Sequence, residues 1–532
     1  MGGTGRLAGG RRLKRVGVGA GPWLARTTLA LLSGESRRWD RGTMAEESWH
    51  TARLIPTSGI GGAEEQERRA TSALLAVMPA VREFGRSVLA PLGAPAGTIE
   101  TFIEVPFYVG ERRVYPDGLI RVSRGQRRWT ALVEVKTGSN QLEVEQLECY
   151  LDVAREQGFD ALITVSNQIP AVAGSHPTTV DKRKLKKVSL HHFSWTQLLT
   201  EAVMQKVHRG VADPDQAWIL GELIRYLEHP RSGAMEFQDM GSSWTGVRDA
   251  VVAGTLRSND KGAAEVASRW DQLMRYACLR LGRQLGVEVQ PVLSRKELAE
   301  PAVRADALLA NLASRGALDG SLRIPNAVGP ITITADLRAG RISAAVDIDA
   351  PREGKPQTRV NWLVRQVKAA PDLLRVDCFA LHGRGASTSE LLRAVRENPA
   401  LLVDDPKREI RTFRLILSGP MGTKRGQGRG SFVTSVLDLL DGFYGEVIQG
   451  IKPWAGAPPR LRSTTPDPPE PVVPAALAST SLSSQDGPTT GTISPSAPAL
   501  ADEVPPTPGP TGSAEIVSSP EVTVASEAAP LL

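Results

Sequence analysis

The chain has 532 residues, enough for two or three domains, and its 41% hydrophobic and 23% charged content fits a soluble globular protein with disordered ends. Its net charge of +6 is unevenly spread: nine Lys/Arg precede Met44 against Glu35 and Asp40, eight acids follow Trp454 against Arg460 and Arg462, and the mildly basic middle is compatible with a polyanionic partner without requiring one. Cys149, Cys278 and Cys378 are too scattered for a zinc knuckle or a disulfide framework, and no uninterrupted apolar run reaches the ~20 residues of a membrane helix, so a reduced, cytoplasmic setting without a membrane is expected.

Residues 1–45 read as an unstructured leader or a mis-called start, with Met44 as the true beginning. Arg11-Arg12 imitates a twin-arginine signal, but Arg26 interrupts the apolar stretch and no small-x-small cleavage site follows. After an irregular lead-in over 46–62, a helix is predicted over 63–90, with Leu74, Leu75, Val77, Met78, Val81 and Val88 at helical spacing. Pro79 predicts a kink or break within it. Three strands follow near 99–109, 112–122 and 128–137, bounded by Gly and charged turns. A helix over 141–157 stops at Gly158. A strand over 160–165, a polar loop with His176-Pro177 and the basic run Lys182–Lys187, a strand near 188–193 and a helix over 194–207 complete a unit spanning 46–210.

Residues 211–245 read as a helical connector. A second α+β domain of unknown task spans 246–455. It has helices near 263–284, 360–369, 388–396 and 431–450 and strands near 331–335, 342–348, 374–380 and 409–417. From 456 to 532 Pro, Ser, Thr and Ala dominate, and such a segment cannot bury enough apolar area to offset its ordering entropy, so a disordered tail is predicted.

Phosphodiester hydrolysis needs acidic oxygens to hold Mg²⁺ and a group to orient or activate water. On the strand Trp129–Thr137, Glu134 and Lys136 share a face, roughly 7 Å apart along the strand. Gly125-Gln126 suits a two-residue type II′ turn, which places Asp117 opposite Glu134. Two like charges there repel unless a cation lies between them. A second Gly-first turn, Gly110-Glu111, would put Glu104 opposite Asp117, giving a row of three acids. Glu67 lies on the apolar stripe of the first helix, either as a further site acid or as a first-turn acid favoured by the helix dipole. Gln146 and Tyr150 form an i, i+4 pair on the next helix, either at the site or as an anchored core-edge tyrosine.

Pro116-Asp117, Glu134-Val135-Lys136 and Gln146-x-x-x-Tyr150, in α-β-β-β-α-β order, resemble the PD-(D/E)xK nuclease superfamily, and the Gln-x-x-x-Tyr element resembles its RecB-type branch. The resemblance covers about 63–207. It implies an α/β, restriction-endonuclease-like αβββαβ core in a hydrolase. Asp117 and Glu134 would be Mg²⁺ ligands, with Mn²⁺ as substitute. Lys136 would position and activate the attacking water, Glu67 would be an accessory acid, and Gln146 and Tyr150 would bind substrate. The expected partner is nucleic acid, DNA first, with a protein partner through the second domain or the tail. The competing expectation is a non-cleaving nucleic-acid-binding or partner-binding regulatory protein that retains the fold.

Other features weigh less. His191-His192 point to opposite faces of a strand and cannot easily share a metal. The run Asp181–Lys187 is either a phosphate grip or a solvated loop. Lys424–Gly430 lacks nucleotide-loop spacing and reads better as a basic, flexible nucleic-acid contact. His382-Gly383-Arg384-Gly385 is a loop by composition. Trp362, Arg365 and Lys368 share a helix face, and a tryptophan at the core edge is favoured over a base-stacking one.

Overall fold

The computed structural model describes residue 55, residues 62–170, residue 172 and residues 174–455. The expected leader, the Met44 start and the Pro/Ser/Thr-rich tail lie outside them.

The predicted first helix forms as two. α1 (Ala63–Ala80) carries Pro79 in its last turn, the chain turns extended at Val81 (φ −113°, ψ 91°), and α2 (Arg82–Leu89) restarts. The break folds α2 back on the end of α1, where Gly85 sits: a Cβ there would stand 2.3 Å from the Met78 carbonyl oxygen and 2.7 Å from Ile99 Cδ1. Alanine gains about 1 kcal/mol over glycine in an exposed helix. Here the overlap with backbone outweighs that gain, so Gly85→Ala should destabilise by about 1–3 kcal/mol in a denaturant titration. A neutral or stabilising result would mean that this helix crossing is looser than described.

Next come β1 (Thr98–Ile103), a short hairpin of β2 (Phe107–Val109) and β3 (Arg112–Val114), β4 (Gly118–Arg124), β5 (Arg127–Val135), α3 (Val144–Glu156), β6 (Ala161–Ser166), β7 (Ser189–Ser194), α4 (Trp195–Val203, continued by a π-helical turn, Met204–Arg209) and α5 (Pro214–Leu227). The five-stranded sheet runs β1-β4-β5-β6-β7, antiparallel up to β5 and parallel beyond it. The two strands expected near 99–109 and 112–122 are each interrupted. Pro106 and Pro116 offer no N–H to a ladder, so the chain leaves the sheet at Glu104 and re-enters after Asp117, with β2 and β3 between as a separate hairpin. The register survives the interruption: Val109 pairs with Arg112, and Ile103 with Gly118.

One sheet face packs Ile120, Val122, Val133, Val135 and Ile163 against Leu74, Phe84, Trp195, Leu223 and Tyr226 from α1, α2, α4 and α5. The segment read as a connector thus contributes α5 to this core. The other face packs Leu119, Leu132 and Leu162 against Leu147 and Leu151 of α3 and Val114 of the hairpin.

Further on lie α6 (Trp244–Val252), α7 (Lys261–Leu285), β8 (Gln290–Pro291), α8 (Arg295–Ala299), α9 (Pro301–Arg315), β9 (Ala317–Arg323), β10 (Ile331–Asp336), β11 (Arg341–Asp349), α10 (Pro356–Gln366), β12 (Arg375–Ala380), β13 (Thr388–Leu391), α11 (Leu392–Glu397), β14 (Ile410–Pro420) and α12 (Phe432–Gly442). The strands form an antiparallel sheet, β13-β12-β14-β11-β10-β9-β8, with Trp244, Trp270 and Phe432 in its core. β13 occupies the start of the helix expected near 388–396, and α8, α9 and β9 were not expected. Both halves are mixed helix and sheet. Among the described residues no helix is long and apolar enough to cross a membrane.

The Lys424–Gly430 loop, expected to be flexible, is pinned: Arg425 pairs with Asp239 at 3.2 Å, Gln427 Nε2 donates to the Phe237 carbonyl at 2.6 Å, and Met240 N–H donates to the Arg425 carbonyl. Trp362 packs at the core edge, as favoured. In the basic run, Lys184 is committed to Asp152 of α3 at 2.6 Å.

Candidate active site

β5 sets the geometry. Its β4 ladder begins at the Gly125-Gln126 turn, with Arg124 facing Arg127, and ends with Gly118 facing Val133. Asp117 and Glu134 are the next pair in that register. Asp117 replaces the missing ladder acceptor with its own side chain: Oδ2 takes the Val135 N–H at 2.7 Å. On the other side of β5 the parallel ladder continues, and Lys136 N–H donates to the Val165 carbonyl at 2.7 Å. The indole N–H of Trp195, a side chain buried at the start of α4, donates to the Lys136 carbonyl at 2.9 Å. The backbone bearing the two charged side chains is therefore held from both flanks.

Glu134 is 1% exposed and its Oε1 lies 2.6 Å from Lys136 Nζ. Glu67 reaches in from the first turns of α1: Oε1 lies 3.3 Å from the same Nζ, and Oε2 accepts from Thr137 N–H at 3.4 Å and Asn140 Nδ2 at 3.3 Å. Asp117, Glu134, Lys136 and Glu67 are thus brought together.

Glu104 is not. Its N–H does donate to the Asp117 carbonyl at 3.3 Å, as the expected register requires. However, its backbone is left-handed (φ 52°), and its exposed carboxylate pairs with Arg68 Nε at 3.0 Å. The expected row of three acids is therefore two acids, with Glu67 approaching from the helix instead.

Gln146 and Tyr150 do meet, with Nε2 donating to the phenol oxygen at 3.3 Å. The Tyr150 hydroxyl in turn donates to the Tyr115 carbonyl at 3.1 Å, bracing the Tyr115-Pro116-Asp117 segment. Burial and the Glu134 and Asp117 carboxylates push that phenol up to about 12, so it keeps its proton at neutral pH. Thr137, Asn140 and Trp195 support the site and were missed. Asn140 stands in a Gly-Ser-Asn turn just past the motif, a detectable position, whereas nothing in the sequence marks Trp195.

The charge balance is unfavourable as it stands. Burial and the neighbouring Asp117 charge push Glu134 up to about 8, against the pull of Lys136. Burial also raises Asp117, against its Val135 hydrogen bond. Burial acts to lower Lys136, but the Glu134 carboxylate prevails and holds the ammonium above its usual range. Lys136 is thus the constant charge, and the Asp117–Glu134 pair is where a proton is taken up. Glu134 Oε2 is buried without a hydrogen-bond donor. An orphaned carboxylate oxygen beside a second carboxylate is the donor set of a hard, oxygen-seeking cation such as Mg²⁺, which uses one or two carboxylates and completes its shell with water and phosphate. Among the described residues no group of three or more His, Cys, Asp or Glu forms a metal cage.

A cleft of about 330 Å³ opens beside the pair, lined by Glu64, Glu67, Arg68, Thr71, Ile103, Glu104, Tyr115, Pro116 and Asp117. The histidines lie elsewhere. His192 is buried between Thr164 Oγ1 and the Gln168 carbonyl, and burial lowers it to about 4, which suits a neutral structural ring. Comparison of the chain with family models, with curated proteins and with solved structures found no match.

Proposed function

We propose that this chain is a Mg²⁺-dependent nuclease of the PD-(D/E)xK kind that hydrolyses phosphodiester bonds in nucleic acid, DNA first, in the cytoplasm, with the five-stranded sheet and its helices as a restriction-endonuclease-like core. The observation that carries this reading is the buried, donorless Glu134 Oε2 beside Asp117, two residues from a charged lysine. A structural ion pair needs neither the second acid nor the orphan oxygen, and both are costly unless a proton or a cation is held there.

Asp117 and Glu134 would hold Mg²⁺ (or Mn²⁺), which supplies positive charge to the scissile phosphate when bound. Lys136 Nζ orients the attacking water and offers charge to the developing oxyanion. Glu67 keeps Lys136 aimed, and Gln146 and Tyr150 fix the Asp117 segment and border the substrate. The second sheet domain would select substrate or partner.

The test is a cleavage screen over single- and double-stranded DNA and RNA, with Mg²⁺, with Mn²⁺ and with chelator, on wild type and Asp117→Ala. Cleavage should require the divalent ion and vanish in the variant. Full activity in chelator, or undiminished cleavage by Asp117→Ala, would place the chemistry elsewhere.

A further inference from the structure

Four aromatic side chains are exposed among the described residues, Phe102, Tyr108, Tyr115 and Trp218; Tyr108 and Tyr115 share Arg113, and Phe102 adjoins Ile103, which lines the same cleft as Tyr115. Phe102 is the penultimate residue of β1, Tyr108 is on β2, and Tyr115 follows β3 and immediately precedes Pro116-Asp117. Phe102, Tyr108 and Tyr115 each carry an arginine. Arg113 lies 4.9 Å from the Tyr115 ring centroid and 5.9 Å from that of Tyr108, and Arg121 lies 5.5 Å from that of Phe102. The hairpin is anchored from beneath: Val114 is buried in the core under α3, and Phe107 and Val109 pack against it. Its outward residues, Tyr108, Arg112 and Arg113, are left to solvent. Tyr115 also lines the cleft that ends at Asp117 and Glu67.

Folding gains little from this. An exposed tyrosine forgoes its apolar burial, and a surface cation–aromatic contact contributes little. Single exposed apolar residues need no account, but aromatic rings interleaved with arginines and continuous with a carboxylate cleft do. Flat rings with guanidinium groups between them suit unpaired bases, whose faces stack on the rings, on a strand whose phosphates meet the arginines. A duplex keeps its base faces covered and offers nothing to stack.

We infer that the Phe107–Val114 hairpin, with Tyr108 and Tyr115 flanking Arg113 and with Phe102 beside it, is a stacking platform that binds single-stranded nucleic acid and leads it to Asp117 and Glu134. This deepens the nuclease reading and rests on it for the direction of the strand, but binding can be measured without cleavage. The probe is a fluorescein-labelled oligothymidylate of about 12 nucleotides, against a duplex of equal length, titrated by anisotropy with the full chain in chelator. The single strand should bind at least about tenfold tighter. Tyr108→Ala and Tyr115→Ala should each weaken it by roughly fivefold to a hundredfold, and Tyr108→Phe, which keeps the ring, should restore it.

Equal binding of duplex and single strand, or no binding of either, overturns the platform. So does single-strand binding untouched by Tyr108→Ala, since a chain of that exposure folds without it. Ring-dependent binding with no Mg²⁺-dependent cleavage keeps the platform and removes the hydrolytic reading. Cleavage indifferent to strandedness and to Tyr108 does the reverse.

Discussion

Exchanging Lys136 for methionine should lower single-turnover cleavage by about 10²- to 10⁴-fold while leaving Mg²⁺ binding as tight as in wild type or tighter. The two effects separate because the side chain does two things. Its ammonium lies 2.6 Å from Glu134 Oε1 and 3.3 Å from Glu67 Oε1, so among the described residues it is the cation that these two carboxylates share. Removing it makes the site more negative and improves it as a cation site. It also removes the ammonium that, among the described residues, lies next to the place where water must attack. Methionine keeps the length and apolar stem, so packing is conserved and the loss is of charge and hydrogen bonding. Calorimetric titration with Mg²⁺ checks the first half and single-turnover kinetics at saturating Mg²⁺ the second. If turnover survives at saturating metal, Lys136 is only a structural counter-ion and the assigned mechanism loses its water-orienting group.

The parts of the site that were legible in the sequence are those fixed by local rules. Gly125-Gln126 sets a tight turn, the turn sets the register, and the register makes Asp117 and Glu134 neighbours on one face. Alternation along β5 does the same for Lys136. Glu67 was legible only in part: a charge on the buried stripe of a helix needs a partner, but a first-turn acid favoured by the helix dipole read equally well.

What was not legible depends on single backbone angles or on distant contacts. The left-handed turn at Glu104 sends its carboxylate to Arg68 although the ladder register is as expected. Trp195 reaches Lys136 from 59 residues away, with nothing local to announce it.

In the second half, α9 buries only Leu308 and Leu312, too thin a stripe to stand out. β9 is interrupted in pattern by Asp319 and Gly320. Both residues have tertiary reasons: a Cβ on Gly320 would stand 2.7 Å from Met274 Cγ of α7, and Asp319 accepts from Thr334 and Asn311 on either side. The hairpin carrying Tyr108 was readable as a turn but not as a departure from the sheet, because two separated prolines had to be weighed together.

Replacing Glu134 with glutamine should make the metal-free protein more stable than wild type at alkaline pH and at the same time abolish its stabilisation by Mg²⁺. In the fold Glu134 titrates at about 8, against 4.5 for an ordinary glutamic acid. Between these values the folded protein binds a proton that the unfolded chain does not, so the contribution of Glu134 to stability is full below about pH 4.5 and is lost as pH rises through 8. Asp117, also raised, adds to the same slope. The loss is on the order of a few kcal/mol, which corresponds to a drop of several degrees in melting temperature.

Glutamine has no such proton to lose, so its stability should fall less than that of wild type between pH 6 and 9, despite leaving Lys136 to Glu67 alone. Mg²⁺ competes with that proton, so in wild type the melting-temperature gain from Mg²⁺ should be larger at pH 9 than at pH 6. Thermal unfolding in chelator and in Mg²⁺ across that range checks both. A wild-type melting temperature that rises with pH in chelator, or a glutamine variant that keeps the full Mg²⁺ gain, would remove Glu134 from the metal site. A carboxylate buried beside another carboxylate is a cost to the fold once its proton is lost, and the cation is what would offset it there. Stability and activity should therefore respond in opposite directions to its replacement.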